Sequence, residues 1–535
     1  MRITKVLLAL VIASFFCAAL LFPAGTVSAQ KEGGQLVYPL TSEPRPFDPH
    51  HYFGEKNADN LIQHLYENLI YVDKQLKFQP CLATSWEMAS DGKSCVFHLR
   101  KGVKFHDGTP FNAQAVAANF DRLANDRPNG WKFVGAWFNS TEIIDDFTIR
   151  INLKEVYLPF MTEMAQLYTR MASPAAIKKY GLDLGNNACG TGPWKFSEWV
   201  PGDKVVFVRN PYYWGGRPHL DKVIFRITPD MTTRMMGFES QSFDLLNEPQ
   251  YVDIERLEKT GKYVSHSQVS SEIFHYSFNL VREPFDQKEV RHAIAYAINK
   301  PLIVKSLLGE KVLVANSFAP IHFPDVVIKE DAYAYNPEKA KEMLRNLGWK
   351  PGKDGILVKD GKRFQFNIMT PFGRYPMDKQ ITEAIQASLK EIGIDTKVEV
   401  VESAAFIKWL DAPCDEKRTM KTGMCARTRP MGASYEFAFI QHYHSDSTPL
   451  DNNSGCFANK EFDKYIIGAR TLVDEKARGQ AHRRAQEILF EELPAIPIFW
   501  YRTYMFNWPH VHDIDLFSPA YTPTPFVTHK TWVDK

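Results

Sequence analysis

The chain has 535 residues, 44% hydrophobic and 24% charged, the ordinary balance of a soluble globular protein with length for two or three domains. Its 64 Lys and Arg stand against 62 Asp and Glu, and Arg2 and Lys5 are the only charged residues before position 30. Residues 30–535 therefore carry no net formal charge, which removes the electrostatic basis for nucleic-acid binding. Beyond the N-terminus no segment is long and apolar enough to span a bilayer.

Arg2 and Lys5 precede an apolar run from Val6 to Phe22, then Pro23, Gly25 and the small-residue triplet Val27-Ser28-Ala29. This reads as a secretory signal peptide cut after Ala29, with an uncleaved anchor as the alternative. Cys17 lacks the small residues that precede a lipidated cysteine. The next informative stretch is SWEMASDGKSCVFHLRKGVKFHDGTPF, residues 85–111. Gly92-Lys93-Ser94 looks like the end of a phosphate-binding loop, but the position five before Gly92 is Glu87, whose carboxylate repels phosphate. Cys95, Phe97 and Leu99 alternate with polar neighbours, so the spacing predicts a strand entered through an Asp91-Gly92 hairpin turn. A second turn falls at Asp107-Gly108, and Asn112 is positioned to cap a helix with Val116, Phe120 and Leu123 on one face.

Further along, Asp286 and Glu289 have the spacing of a capping box for a helix lined by Val290, Ile294 and Ile298. Asn336-Pro337 opens another helix that Gly348 stops. Residues 379–392 have helical periodicity, and DTKVEVV (395–401) reads as a strand. Helices and strands alternate without a fixed repeat, which gives an α/β class. Six cysteines follow residue 29, with no C-x-x-C. In an exported chain they suggest disulfides, with Cys414 and Cys425 flanking a polar segment and Cys81 and Cys95 bracketing a turn; reduced buried thiols are the alternative.

The segment LATSWEMASDGKSCVFHLRKGVKFHDGTPFNAQAVAANFDRL (82–123) closely resembles the signature of the family 5 extracytoplasmic solute-binding proteins of ABC importers. GTGPWKFSEW (190–199), VRNPYYWGGRPHLDKVIFRITPDMTTR (208–234), ESQSFDLL (239–246), FNLVREPFDQKEVRHAIAYAINK (278–300) and YNPEKAKEMLRNLGW (335–349) extend the resemblance over roughly 36–530. It implies a two-lobed, type II-like periplasmic binding protein with an inserted subdomain and a ligand cleft between the lobes. The implied division is 30–70, 172–272 and 502–535 for the first lobe, 71–171 for the insertion and 273–501 for the second lobe. Residues 275–279 and 496–502 are the hinge candidates.

The resemblance is closest to the nickel-binding branch, whose cargo is a nickel chelate. It implies cleft positions at Trp131, Arg170 and Tyr435, with Met431 where that branch has tryptophan. Arginine suits a chelate's carboxylates because its planar fork binds them bidentately. Glu436 stands near the aspartate that meets the peptide amine in peptide binders. His442 and His444, expected in a polar loop, are metal candidates or exposed loop histidines; His50-His51, and less so His510 and His512, are further candidates. The resulting expectation is a periplasmic, monomeric binding protein that needs no cofactor. It would carry a Ni(II)-chelate, or alternatively a dipeptide or oligopeptide, to an inner-membrane ABC permease; another small solute, or a haem-carrying or chaperone-like role, is also open. An enzyme is disfavoured: G-x-S-x-G, H-E-x-x-H and phosphate-binding loops are all missing from the sequence.

Overall fold

The computed structural model describes residues 30–535 except 52–55, 74–76, 126–131, 320–322, 324–325, 329, 373, 416–421, 431–434, 450–451 and 517–523; for 132, 133, 136, 430, 435 and 437 it describes the backbone alone. The predicted hairpin forms. Gly92 turns with φ +68°, a left-handed value that favours glycine, and the Lys93 N–H donates to Asp91 Oδ1 at 2.9 Å. Residues 94–99 alternate half-buried and buried, and Asn112 Oδ1 accepts from the Ala115 N–H at 3.0 Å to cap Ala113–Asn125. The strands 83–88, 94–99, 148–153 and 138–145 form a four-stranded antiparallel sheet in that order, with Phe120 of the helix stacked on Phe138.

A second four-stranded sheet joins 35–40, 222–227, 204–209 and 194–200, its first pair parallel. Phe207 and Phe225 from this sheet share one continuous apolar core with Phe97, Phe120 and Trp137 of the other. The segment 71–171 thus does not bury its hydrophobic face alone; it closes against the first lobe.

The third sheet is the largest, in the order 245–247, 495–507, 264–278, 422–430, 365–371, 395–401, with 313–314 pairing on the 495–507 strand. Its two long strands, Val264–Phe278 and Ala495–Asn507, run antiparallel from Val264 opposite Asn507 to Ser277 opposite Ala495. At about 3.3 Å per residue the longer spans roughly 50 Å, enough to leave the first lobe and enter the core of the second. Their register breaks between Val269 and Ile273, opposite Arg502 and Trp500. His275 to Phe278, within a predicted hinge segment, lie beyond that break and are paired in the sheet. Phe274, Ile294, Ile368, Ile385 and Trp500 anchor the second core.

Two local readings are corrected. The helix expected from Asp286 begins at Lys288, with Gln287 as an N-cap that makes no side-chain bond. Arg291 instead takes the Phe285 and Asp286 carbonyls, at 2.7 and 3.2 Å, and holds that backbone outside the helix. The disulfide joins Cys414 to Cys456, not to Cys425, which lies buried on the 422–430 strand against Met369, Phe406 and Leu410. Cys81 and Cys95 are separate buried thiols. The register sets Cys95 opposite Met88 and Leu99 opposite Ala83, which puts Cys81 beyond the far end of the strand pair. That separation of about 13 Å or more exceeds the roughly 7 Å a disulfide spans.

Candidate functional site

A cavity of about 950 Å³ opens beside the register break of the two long strands. Its lining is drawn from 56, 248–252, 272 and 502–504 on one side and from 305–311, 374–377, 428 and 501 on the other. These segments fall in the two groups that the sequence reading assigns to first and second lobe. The size suits a drug-sized or short peptide-sized molecule.

Its charge is strongly one-sided. Lys56, Lys305, Lys311, Arg374 and Arg502 line it against Glu248 and Glu272, and Lys56 is in an ion pair with Glu248. Two helices also begin at the wall: Tyr251–Lys259, directly after Gln250, and Asp378–Glu391, directly after Met377. Neither N-cap side chain bonds its helix, but each first turn carries a carboxylate, Asp253 and Asp378, and Asp378 Oδ1 accepts from the Lys379 N–H at 2.7 Å, so each helix start brings a negative group with it. Glu248 and Met377 both adopt left-handed backbone, φ +51° and +56°. That conformation costs a non-glycine residue on the order of 1 kcal/mol and clusters at ligand sites, where the surrounding fold enforces it.

Tyrosines supply the remaining polar surface. The hydroxyl of Tyr501 is buried and has no hydrogen-bond partner among the described residues, and burial, then the charge of Glu272, pushes its pKa well up. Tyr251 and Tyr375 lie in the same electrostatic neighbourhood, and Arg374 Nε donates to the Tyr375 hydroxyl at 3.3 Å. Arg502 makes one long contact, 3.5 Å from Nη1 to Ser267 Oγ, and its Nε is buried without a partner. The site therefore offers guanidinium forks and phenol donors to an anionic group, and a carboxylate, Glu272, to a cationic one.

Four of the residues nominated from sequence lie outside this cavity. Arg170 is turned into the first lobe, where Nη1 donates to the Tyr66 carbonyl at 3.0 Å and its own carbonyl meets His50 Nε2 at 3.0 Å. Burial lowers its pKa to about 10. Glu436 is buried 2.9 Å from His482 Nε2; burial opposes its ionisation, but the His482 hydrogen bond and charge hold its pKa below the usual range. His442 is not in a loop: it lies buried on the helix Tyr435–Tyr443. His444 follows that helix, accepting from the Asp446 N–H at 3.1 Å and lying 3.8 Å from Asp463. None of these four lines the cavity. Trp131 and Met431 lie outside the described residues, and Tyr435 is described by its backbone alone. His50 and His51 belong to a buried network in which Arg122 grips Asp48 at 2.9 and 2.6 Å. His510 is 2.9 Å from Asp244, and His512 stacks on Trp532. Among the described residues, no three His, Cys, Asp or Glu side chains are grouped to hold a metal ion.

The cavity's own side chains carry no linear motif, since they arrive from seven separate segments. The single pointer was 496–502, read as a hinge, which contributes Tyr501 and Arg502.

A family model described as bacterial extracellular solute-binding proteins, family 5 Middle, matches residues 77–429. The chain is 29% identical over 447 residues to the glutathione-binding protein GsiB of Escherichia coli (strain K12), covering 82% of this chain and 83% of that protein. It superposes on NikA from Brucella suis in complex with Fe(III)-EDTA with a TM-score of 0.80 and 26% identity, over 92% of this chain and 100% of that one. DppA from Helicobacter pylori in complex with the peptide STSA gives a TM-score of 0.75 and 25% identity, over 94% and 99%. The chain shares the two-lobed α/β architecture of these binding proteins.

Proposed function

Because the chain belongs to family 5 of the bacterial extracellular solute-binding proteins, we propose that it captures a short, carboxylate-rich peptide between its lobes and hands it to the permease of an ABC importer. It is a binding protein and not an enzyme, and its solute is cargo that requires no cofactor. The observation that carries the reading is the cavity wall: five basic side chains against two carboxylates. A solute with more carboxylates than amines matches that imbalance, and glutathione, which the E. coli relative binds by name, is one such molecule. In this reading Arg374 and Arg502 take carboxylates, Tyr501 donates to one of their oxygens, and Glu272 receives the α-amine. Arg170 and Glu436, buried in contacts of their own, serve as support. The leader through Ala29 is removed on export.

A nickel or iron chelate is the second reading, favoured by the likeness to the Fe(III)-EDTA-bound protein. A polycarboxylate chelate also answers the cavity's charge, and it would bring its own metal ligands. His442 and His444 would then act, if at all, from outside the cavity described above.

Isothermal titration of ligand-free protein separates the two. Glutathione and acidic tripeptides should bind at micromolar concentration or tighter, without metal. Binding only when Ni(II) and L-histidine, or Fe(III) and a polycarboxylate, are added together would replace the peptide reading with the chelate one. Tight binding of uncharged peptides and none of acidic ones would remove the charge argument.

A further inference from the structure

The far face of the second lobe's sheet holds a cluster of cationic groups that the solute cavity does not use. His275 on 264–278 stands directly opposite Arg427 on 422–430, and Ile273 stands opposite Arg429. Strand periodicity puts Arg427, Arg429, His275 and Ser277 on one face, while Thr428 between the two arginines lines the cavity on the other. Arg427 Nη1 is held by Ser454 Oγ and, at 3.3 Å, by the Asn452 carbonyl. Arg429 is 2% exposed, and among the described residues neither its Nε nor its Nη1 has a hydrogen-bond partner. Its Nη2 approaches Ser277 Oγ at 3.5 Å, the Tyr443 ring lies 4.7 Å from the guanidinium carbon, and the Tyr443 side chain is in hydrogen-bonding contact with it. His275, 1% exposed, meets the same Ser277 hydroxyl through Nε2 at 3.1 Å, and its Nδ1 has no partner. Arg429 and His275 thus converge on one hydroxyl, each with a nitrogen to spare. Among the described residues no carboxylate pairs with Arg429.

A guanidinium is a permanent charge. Burying such a charge without a counter-charge costs several kcal/mol. His275 does not add a second full charge: burial, then the positive neighbours Arg429, Arg427 and His442, keep it neutral. A neutral imidazole has one donor and one acceptor nitrogen, and the Ser277 hydroxyl can serve either role toward Nε2. Arg427 has Ser454 and Asn452 to accept from it, so Arg429 is the permanent charge left without an acceptor at two of its nitrogens, and beside a neutral His275 it matches one negative charge. The enclosure by Ser277, Tyr443 and Ser454, all nearly fully buried, sets a small size.

We propose that this cluster is a binding site for a small monovalent anion of halide type, held by Arg429 and His275 behind the wall of the solute cavity. The anion neutralises Arg429 and fixes the strand that presents Thr428 to the cavity. The proposal is independent of which solute the protein carries, and its test uses ligand-free protein. Crystals of the wild type soaked in bromide should show an anomalous peak within hydrogen-bonding reach of Arg429 and His275. The thermal midpoint in chloride should exceed that in gluconate at equal ionic strength and rise saturably with chloride. Arg429→Met should lose that dependence. No bromide at Arg429, or equal chloride dependence in wild type and Arg429→Met, overturns the proposal. Should the variant fail to fold, the bromide map of the wild type decides the question alone.

Discussion

Replacing Cys414 and Cys456 together by serine isolates a term that can be worked from the chain. The two cysteines are 42 residues apart, with Cα atoms 5.8 Å from each other. Closing a loop of that length removes entropy from the unfolded chain worth about 4 kcal/mol at 25 °C on the chain-entropy model. Unfolding entropy near the midpoint is roughly 2.1 cal/mol/K per residue. If the described chain melts as one unit, the midpoint of the double variant falls by about 4 °C; if residues 273–501 melt separately, their transition falls by about 8 °C. Scanning calorimetry on the oxidised wild type and the double variant reads both numbers. In parallel, native wild type should show no titratable thiol before denaturation, because Cys81, Cys95, Cys189 and Cys425 are all buried. A midpoint unchanged by the double substitution refutes the entropic reasoning. A shift confined to a transition of the first lobe refutes the assignment of the loop to the second.

Three further outcomes follow from the structure. Arg502→Ala should weaken an acidic peptide about tenfold, some 1.4 kcal/mol, since Arg502 is only half-buried, while an uncharged peptide should not distinguish the variant from wild type; equal losses for both peptides would make Arg502 a packing residue. Glu163 is fully buried, accepts from Tyr157 and Tyr168, and has its pKa pushed by burial to about 7 from 4.5. Its folded state therefore holds the proton more tightly, so the contribution of Glu163 to stability is fully present below pH 4.5 and is lost, by up to about 3 kcal/mol, as pH rises to 7. Glu163→Gln should match wild type near pH 4 and exceed it at pH 8 in denaturant titrations; a variant less stable at pH 8 refutes the burial argument. Gly192→Ala would set a Cβ 2.5 Å from the His64 carbonyl oxygen and 2.8 Å from the Leu65 carbonyl carbon, both backbone. It should cost about 2 kcal/mol or more, and a neutral effect in the same titration would show that the 64–65 turn gives way freely.

Local chemistry determined much of the chain before any tertiary contact was known. The Asp91-Gly92 turn, the alternation of Cys95, Phe97 and Leu99, and the caps at Asn112 and Asn336 each depend on neighbours within a few residues, and each forms where the pattern put it. The resemblance carried by residues 82–123 identified the family, because turns and buried strand positions are constrained by the same short-range sterics throughout it. The box at Asp286 failed because Arg291, five residues on, donates to the Phe285 and Asp286 carbonyls and holds that backbone outside the helix. Cysteine pairing was undetermined by sequence, since any of six thiols near a turn satisfies a spacing rule, and only the fold brings Cys414 and Cys456 to 5.8 Å. The cavity was equally hidden. Glu272, Arg374 and Arg502 are unremarkable where they stand in the chain, and they become a site because two long strands cross between lobes and carry them to one place. The composition that adds to zero net charge over residues 30–535 holds no trace of a cation-lined cavity or of Arg429 buried behind it; charge is summed along a sequence but distributed only in space.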